Sequence, residues 1–203
     1  MAASYSYLTL LLKRIPTPHP ALARELKSAS LTGGAVIGQF APQLGWSNDQ
    51  AAVLVRWTGA PGDLAAVTGA SAVAGADVQW LAPTIRPADD ALPVATGGIY
   101  VHRWFEVDAG AADEFVTLSG EGWQRFEATF ETRIFGLLRA EPTDMDRDRG
   151  SARFLLLTWY ASHQVWEDSR DPTTEAMQIF ARRQQLTKRS WAASTRLIPA
   201  PTT

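Results

Sequence analysis

Two short stretches hold the residues whose types could do chemistry. In GGIYVHRWFEV, residues 97–107, a histidine and an arginine stand side by side within an otherwise apolar run. In WYASHQVWEDSR, residues 159–170, His163 and Glu167 are set at the i, i+4 spacing among aromatic residues. Histidine titrates near neutrality and can move protons. Arginine presents a rigid fork of N–H donors that matches a carboxylate. With no cysteine in the chain, thiol nucleophiles, disulfides and thiolate metal sites are excluded.

Reading the first stretch as a β-strand divides its side chains between two faces. Tyr100, His102, Trp104 and Glu106 share one face, and Val101, Arg103, Phe105 and Val107 share the other. His102 and Arg103 therefore point in opposite directions. His102 and Glu106 lie roughly 13 Å apart along the strand, too far to chelate one metal ion. Arg103 sits on the more apolar face, where a lone guanidinium must be ion-paired or must look into a polar cavity. It is a substrate-binding candidate for a small carboxylate, a structural salt bridge being the plainer alternative. His102 is a candidate catalytic residue, against the alternative of a satisfied structural histidine.

On a helix, His163 and Glu167 share a face and are close enough to share a proton. His163 is thus the second catalytic candidate, the alternative being a solvated ion-pair face with Arg170. Two ligands without a third do not make a metal site, and none is expected. Trp104, Trp159 and Tyr160 are candidate substrate-binding walls, or else core. Asp144, Asp146 and Asp148 imitate a calcium loop, but Arg149 and Leu155 hold the positions that require Gly and Glu. GGAVIG lacks the Lys and Ser/Thr of a phosphate loop.

The elements that must position these residues follow from hydrophobic period. The first half reads as a strand at YSYLTLLLKRI, a helix at HPALARELKSAS, strands at GGAVIGQFAP and QAAVLVRWTG, a helix at APGDLAAVTGASAVAG and a strand at ADVQWLAPTIRP. RPADDALPVATGG, residues 86–98, reads as a linker. The order then repeats: strand IYVHRWFEV, helix AADEFVTLSGEGWQRFEATF, strands RIFGLLRAEP and ARFLLLTWYAS around the charged hairpin TDMDRDRGS, a helix interrupted at Pro172 and continuing through TTEAMQIFARRQQLTKRSWA, and a short strand STRLIP. VIGQF at Val36 matches IFGLL at Ile134, and AVLVRW ending at Trp57 matches FLLLTW ending at Trp159.

A β-α-β-β-α-β unit is the ferredoxin-like arrangement. The expected fold class is α+β, with two tandem ferredoxin-like units packed sheet to sheet as an intramolecular dimeric α/β-barrel. The expected boundaries are residues 1–88, a linker at 89–98, and residues 99–203. When the repeats are aligned on Tyr7 and Tyr100, Thr9 and Leu10 stand where His102 and Arg103 do, so any polar site belongs to the second half.

Tyr100, Arg103, Phe105 and Gly110, followed by DEFVTL, resemble the first strand and helix of NIPSNAP-like domains in the dimeric α/β-barrel superfamily. Gly38, LGWSND and VLVRW ending at Trp57 echo that family's later pattern. The resemblance implies the barrel fold. It leaves the activity open, since the superfamily includes cofactor-independent monooxygenases, haem-degrading enzymes, dismutases and decarboxylases.

Of 203 residues, 46% are hydrophobic and 20% charged, with net charge −2 and eight tryptophans, so a folded core is expected. No dense Lys/Arg stripe marks a nucleic-acid or anionic-membrane partner. The longest apolar runs fall short of the roughly 20 residues of a membrane span. The N-terminus lacks the basic start and small-residue cleavage site of a secretory signal. A cytoplasmic protein is expected, with no cofactor, a possible small-molecule ligand and a possible homo-oligomer. The function expected is binding or conversion of a small, anionic molecule in a pocket of the C-terminal half, with a cofactor-independent monooxygenase-type reaction as the candidate chemistry. The alternative is a non-enzymatic protein-interaction module.

Overall fold

The computed structural model describes residues 3–88, 90–94 and 97–199. Eight strands and six helices follow one another along them. Two compact units divide the chain, one containing residues up to Ala82 and from Ala193 onward, the other Pro83–Ala192. The sequence places the boundary at 89–98; the units instead divide near Pro83, and the end of the last strand belongs with the first unit.

The first unit contains β1 (Ser4–Leu12), α1 (Pro18–Ser28), β2 (Gly34–Leu44), β3 (Gln50–Trp57), α2 (Ala65–Thr68) and β4 (Val73–Pro83). Its strands lie in the order β4-β1-β3-β2, all antiparallel. Leu8, Leu10 and Leu12 alternate onto the face that packs with Leu22 and Leu26 of α1 and with Trp57. The long second helix of the sequence reading shrinks to Ala65–Thr68. Its glycines weaken a helix, and residues 73–83 pair instead with β1.

The second unit contains β5 (Ile99–Asp108), α3 (Ala112–Thr129), β6 (Thr132–Ala140), α4 (Asp144–Asp148), β7 (Ser151–Tyr160), α5 (His163–Asp168), α6 (Glu175–Gln185) and the first part of β8 (Thr187–Leu197). β5 pairs along its whole length with β7, and β7 with β6. The charged hairpin is in fact helix α4, closed by a reciprocal cap between Thr143 and Asp146. Ser162 and Thr174 cap α5 and α6, with Pro172 in the break between them. The helix expected to run through TKRSWA stops at Gln185, and those residues begin β8. There Lys188 pairs with Asp108 at 2.6 Å, and Trp191 stacks on Trp104 with ring centroids 6.3 Å apart.

Residues 84–86, expected to belong to or adjoin a linker, run along β6: Thr84 N donates to the Leu137 carbonyl and Leu137 N to the Arg86 carbonyl. Gly136 makes this possible, because a Cβ there would stand 2.5 Å from Pro87 Cδ. The β2–β3 and β6–β7 pairs each break register at a glycine, Gly38 and Gly136. Counting from these breaks, Val55 answers to Thr158 and Trp57 to Tyr160. The sequence match of Trp57 with Trp159 is therefore off by one residue, which in a strand means the wrong face.

Candidate functional site

Between the helix-facing side of the second unit's sheet and its helices lies a cavity of about 370 Å³. Arg103 of β5, Tyr160 and Thr158 of β7, Trp123 and Phe126 of α3, and Phe180 and Arg183 of α6 line it, with Trp166 and Arg170 from the α5 region. Alternation explains the floor. Ile99, Val101, Phe105 and Val107 build the core under α3 and α6, and Arg103 interrupts that row. On α6 the buried residues are Ala176, Phe180 and Arg183, a helical i, i+4, i+7 stripe in which the last member is a cation. Gly122 of α3 admits the Phe180 ring, since a Cβ at that position would lie 2.4 Å from the ring.

The electrostatics are one-sided. Three arginines line the cavity, and no Asp or Glu among the described residues does. Neither Arg103 nor Arg183 has a carboxylate within ion-pair distance among the described residues. The Arg183 guanidinium lies over Phe180, Phe105 and Phe115 at 4.6, 4.8 and 5.6 Å. Its Nε and Nη1 are shut off from water with no hydrogen-bond partner. Burial, reinforced by the neighbouring positive charge of Arg103, pulls the pKa of Arg183 down to about 9. Burial also lowers that of Arg103, with Arg170 adding to the effect. Arg170 is exposed and stacks on Trp166 at 4.9 Å.

Tyr160 is nearly buried, and burial raises its pKa while the three arginines and a hydrogen bond with Ser169 act the other way. Ser169 donates its own hydroxyl proton to the Trp166 carbonyl at 2.7 Å. The phenol is thus a neutral, oriented group facing cations. Trp123 Nε1, another donor of the walls, is buried and unpartnered.

The structure brings together only Arg103 and Tyr160 of the residues singled out in the sequence. His102 is 1% exposed and lies on the opposite face of β5, and burial drives its pKa down to about 3. Trp104 shares that face, against Trp191 and beneath Arg153. Trp159 donates to the Gly97 carbonyl at 3.1 Å and lines a second cavity with Tyr100, Arg86 and Arg133. There Arg86 is already paired with Glu127 at 2.9 Å. His163 is exposed at the start of α5, its ring 6.3 Å from that of Trp166. Arg183, Arg170, Trp123 and Trp166 were not anticipated in these roles. The signal for Arg183 was an arginine on the apolar stripe of α6, the helical counterpart of Arg103 on its strand.

No family model matches the sequence, and no curated protein does. Solved structures do. An anthrone oxidase-like protein aligns with TM-score 0.61 at 15% identity, over 96% of this chain and 91% of its own. A candidate monooxygenase from Lactobacillus acidophilus NCFM aligns with TM-score 0.59 at 11% identity, over 97% and 94%. A mutant chlorite dismutase from Candidatus Nitrospira defluvii aligns with TM-score 0.61 at 9% identity, over 98% and 92%. What they share is a fold. It is α+β, and the resemblance to NIPSNAP-like domains has no family match behind it.

The resemblance read in the sequence implies a superfamily that includes haem-degrading enzymes, which raises the question of haem here. Among the described residues the cavity lining holds no histidine or cysteine to bind its iron, since His102 faces the other side of β5 and His163 is exposed on α5. Met177 and Tyr160 are lining side chains of types that ligate haem iron, but a thioether does so beside a histidine and burial disfavours the phenolate, so the lining does not fit that group. No helix among the described residues is long and apolar enough to cross a membrane.

Proposed function

We propose that this protein binds a small anionic molecule in the cavity of its second unit and converts it, by a cofactor-independent reaction of the monooxygenase type. The observation that carries the reading is the buried guanidinium of Arg183 beside the half-buried guanidinium of Arg103 in an aromatic-walled cavity, neither with a carboxylate partner among the described residues. A lone buried cation is costly unless something neutralises it. A bound anion does so, and arginine forks suit carboxylate or enolate oxygens. Oxidation without a cofactor needs an electron-rich substrate held as an anion away from water, and such a cavity offers that environment. The neighbours named for monooxygenase and anthrone oxidase activity support the same class.

In this reading Arg103 holds the anion, Tyr160 orders its other edge, and His163 at the start of α5 exchanges protons with solvent. His102 takes no part at this cavity. The two units are read as tandem ferredoxin-like copies in a cytoplasmic protein, a compartment that fits the absence of cysteine. An interaction module would present a broad aromatic patch, whereas Trp191 is the one large aromatic exposed among the described residues.

Trp123 and Trp166 make binding visible as a change in tryptophan emission. Titration with 2-naphthoate should give saturable quenching with Kd on the order of 10 μM, weakened at least tenfold in Arg103→Met. Equal binding of the neutral 2-naphthamide would overturn the anion reading. Oxygen uptake with anthrone, lost in Arg103→Met, would separate conversion from binding alone.

A further inference from the structure

Resting on that reading, we infer that the ligand is a planar aromatic molecule with two acidic oxygen groups on neighbouring positions, such as an aromatic 1,2-dicarboxylate or a carboxylate beside an ionised hydroxyl. The count of charges points there. Arg103 and Arg183 stand on adjoining walls, β5 and α6, close enough that Arg103 opposes the protonation of Arg183, and Arg170 adds a third positive charge. No Asp or Glu among the described lining residues offsets them. A single carboxylate neutralises one guanidinium and leaves the other buried and uncompensated, whereas two adjacent acidic groups neutralise both.

Arg183 is also fixed in place. Three phenylalanine rings hold its guanidinium, and with Nε and Nη1 sealed, Nη2 is the corner left to meet a ligand. A point contact there, plus a fork from the half-buried Arg103, describes two oxygen groups at different places rather than one group held twice. The walls favour a flat ring. Trp123, Phe126, Trp166 and Phe180 supply aromatic faces and edges, and Met177 a thioether. At about 370 Å³ the space lies at the small end of ligand sites, roughly 300–1,000 Å³, and suits a molecule of one to three rings.

Calorimetric titration at pH 8 with four probes tests this: 2-naphthoate, 2,3-naphthalenedicarboxylate, its saturated decalin counterpart and 2-naphthyl phosphate. The expected result is that the aromatic dicarboxylate binds at least tenfold more tightly than each of the other three. Arg183→Met, and separately Arg183→Gln, should weaken naphthoate and abolish the dicarboxylate's advantage over it, while Arg103→Met weakens both. If naphthoate and dicarboxylate bind equally, the two-charge inference falls and the anion site stands. Equal binding of the decalin diacid removes the aromatic requirement, and tighter binding of the phosphate removes the carboxylate. If no probe binds, the anion site itself is refuted.

Discussion

Replacing Arg183 by methionine should make the ligand-free protein more stable while destroying its affinity for anions. The side chain is 7% exposed, has no ion pair among the described residues, and burial draws its pKa down from the usual arginine range to about 9. At about 1.36 kcal/mol per unit, keeping this guanidinium charged at pH 7.5 costs up to about 5 kcal/mol. Its contacts with Phe105, Phe115 and Phe180 return some of that, about 2 kcal/mol for a desolvated cation over aromatic rings. Methionine keeps much of the apolar stem and fills irregular space. The expected net gain is about 1–3 kcal/mol, which for a chain of this length raises Tm by roughly 3–9 °C. Differential scanning calorimetry on both proteins measures it, alongside naphthoate titration. The sign also has a pH signature. A base whose folded pKa is depressed carries its penalty fully below that pKa and sheds it as pH rises from about 9 toward the usual arginine range. The advantage of the variant should therefore shrink above pH 9. A variant that melts several degrees lower at pH 7.5, or binds naphthoate as the wild type does, refutes the idea that this charge is kept for a ligand.

The other predictions rest on separate residues. His102, 1% exposed and with a pKa near 3, must stay neutral in the folded state, so stability should fall by about 1.4 kcal/mol per pH unit between pH 6.5 and 3. Urea unfolding of His102→Gln should show that slope flattened; an unchanged slope would assign the acid sensitivity elsewhere. Asp146 accepts from Thr143 N, Thr143 Oγ1 and Arg153 Nε while nearly buried, so Asp146→Ala should cost about 3 kcal/mol in a denaturant melt. Gly122→Ala should cost about 1–3 kcal/mol by driving a methyl into the Phe180 ring, and should weaken naphthoate binding by displacing that wall. Naphthoate affinity in the wild type should decline above pH 9 as Arg183 loses its proton.

Strand alternation made half of the site legible. It separated His102 from Arg103 and set Arg103 under the helices, where the cavity is. Tyr160 was legible as a residue but not as a repeat position, because the break at Gly136 shifts the count by one and exchanges it with Trp159. Arg183 was hidden for a different reason. Reading one helix through TKRSWA dispersed the apolar stripe of α6, whereas a helix ending at Gln185 leaves Ala176, Phe180 and Arg183 as its whole buried face. That ending is set by the pairing of residues 187–197 as a strand, a tertiary effect with little local signature. Arg170 and Trp166 lie around a Pro-interrupted break whose path over the sheet no periodicity describes.

The claim that the cavity is an anion site held by two arginines is tested most directly by nuclear magnetic resonance of the arginine Nε–Hε groups during titration with 2-naphthoate. Arg183 Nε is sealed from water, so its signal should persist at neutral pH and be identifiable by its loss in Arg183→Met. The Arg103 and Arg183 signals should move together and saturate with the same Kd as the tryptophan quenching. Movement of exposed arginine signals alone, with Arg103 and Arg183 unchanged, would contradict it.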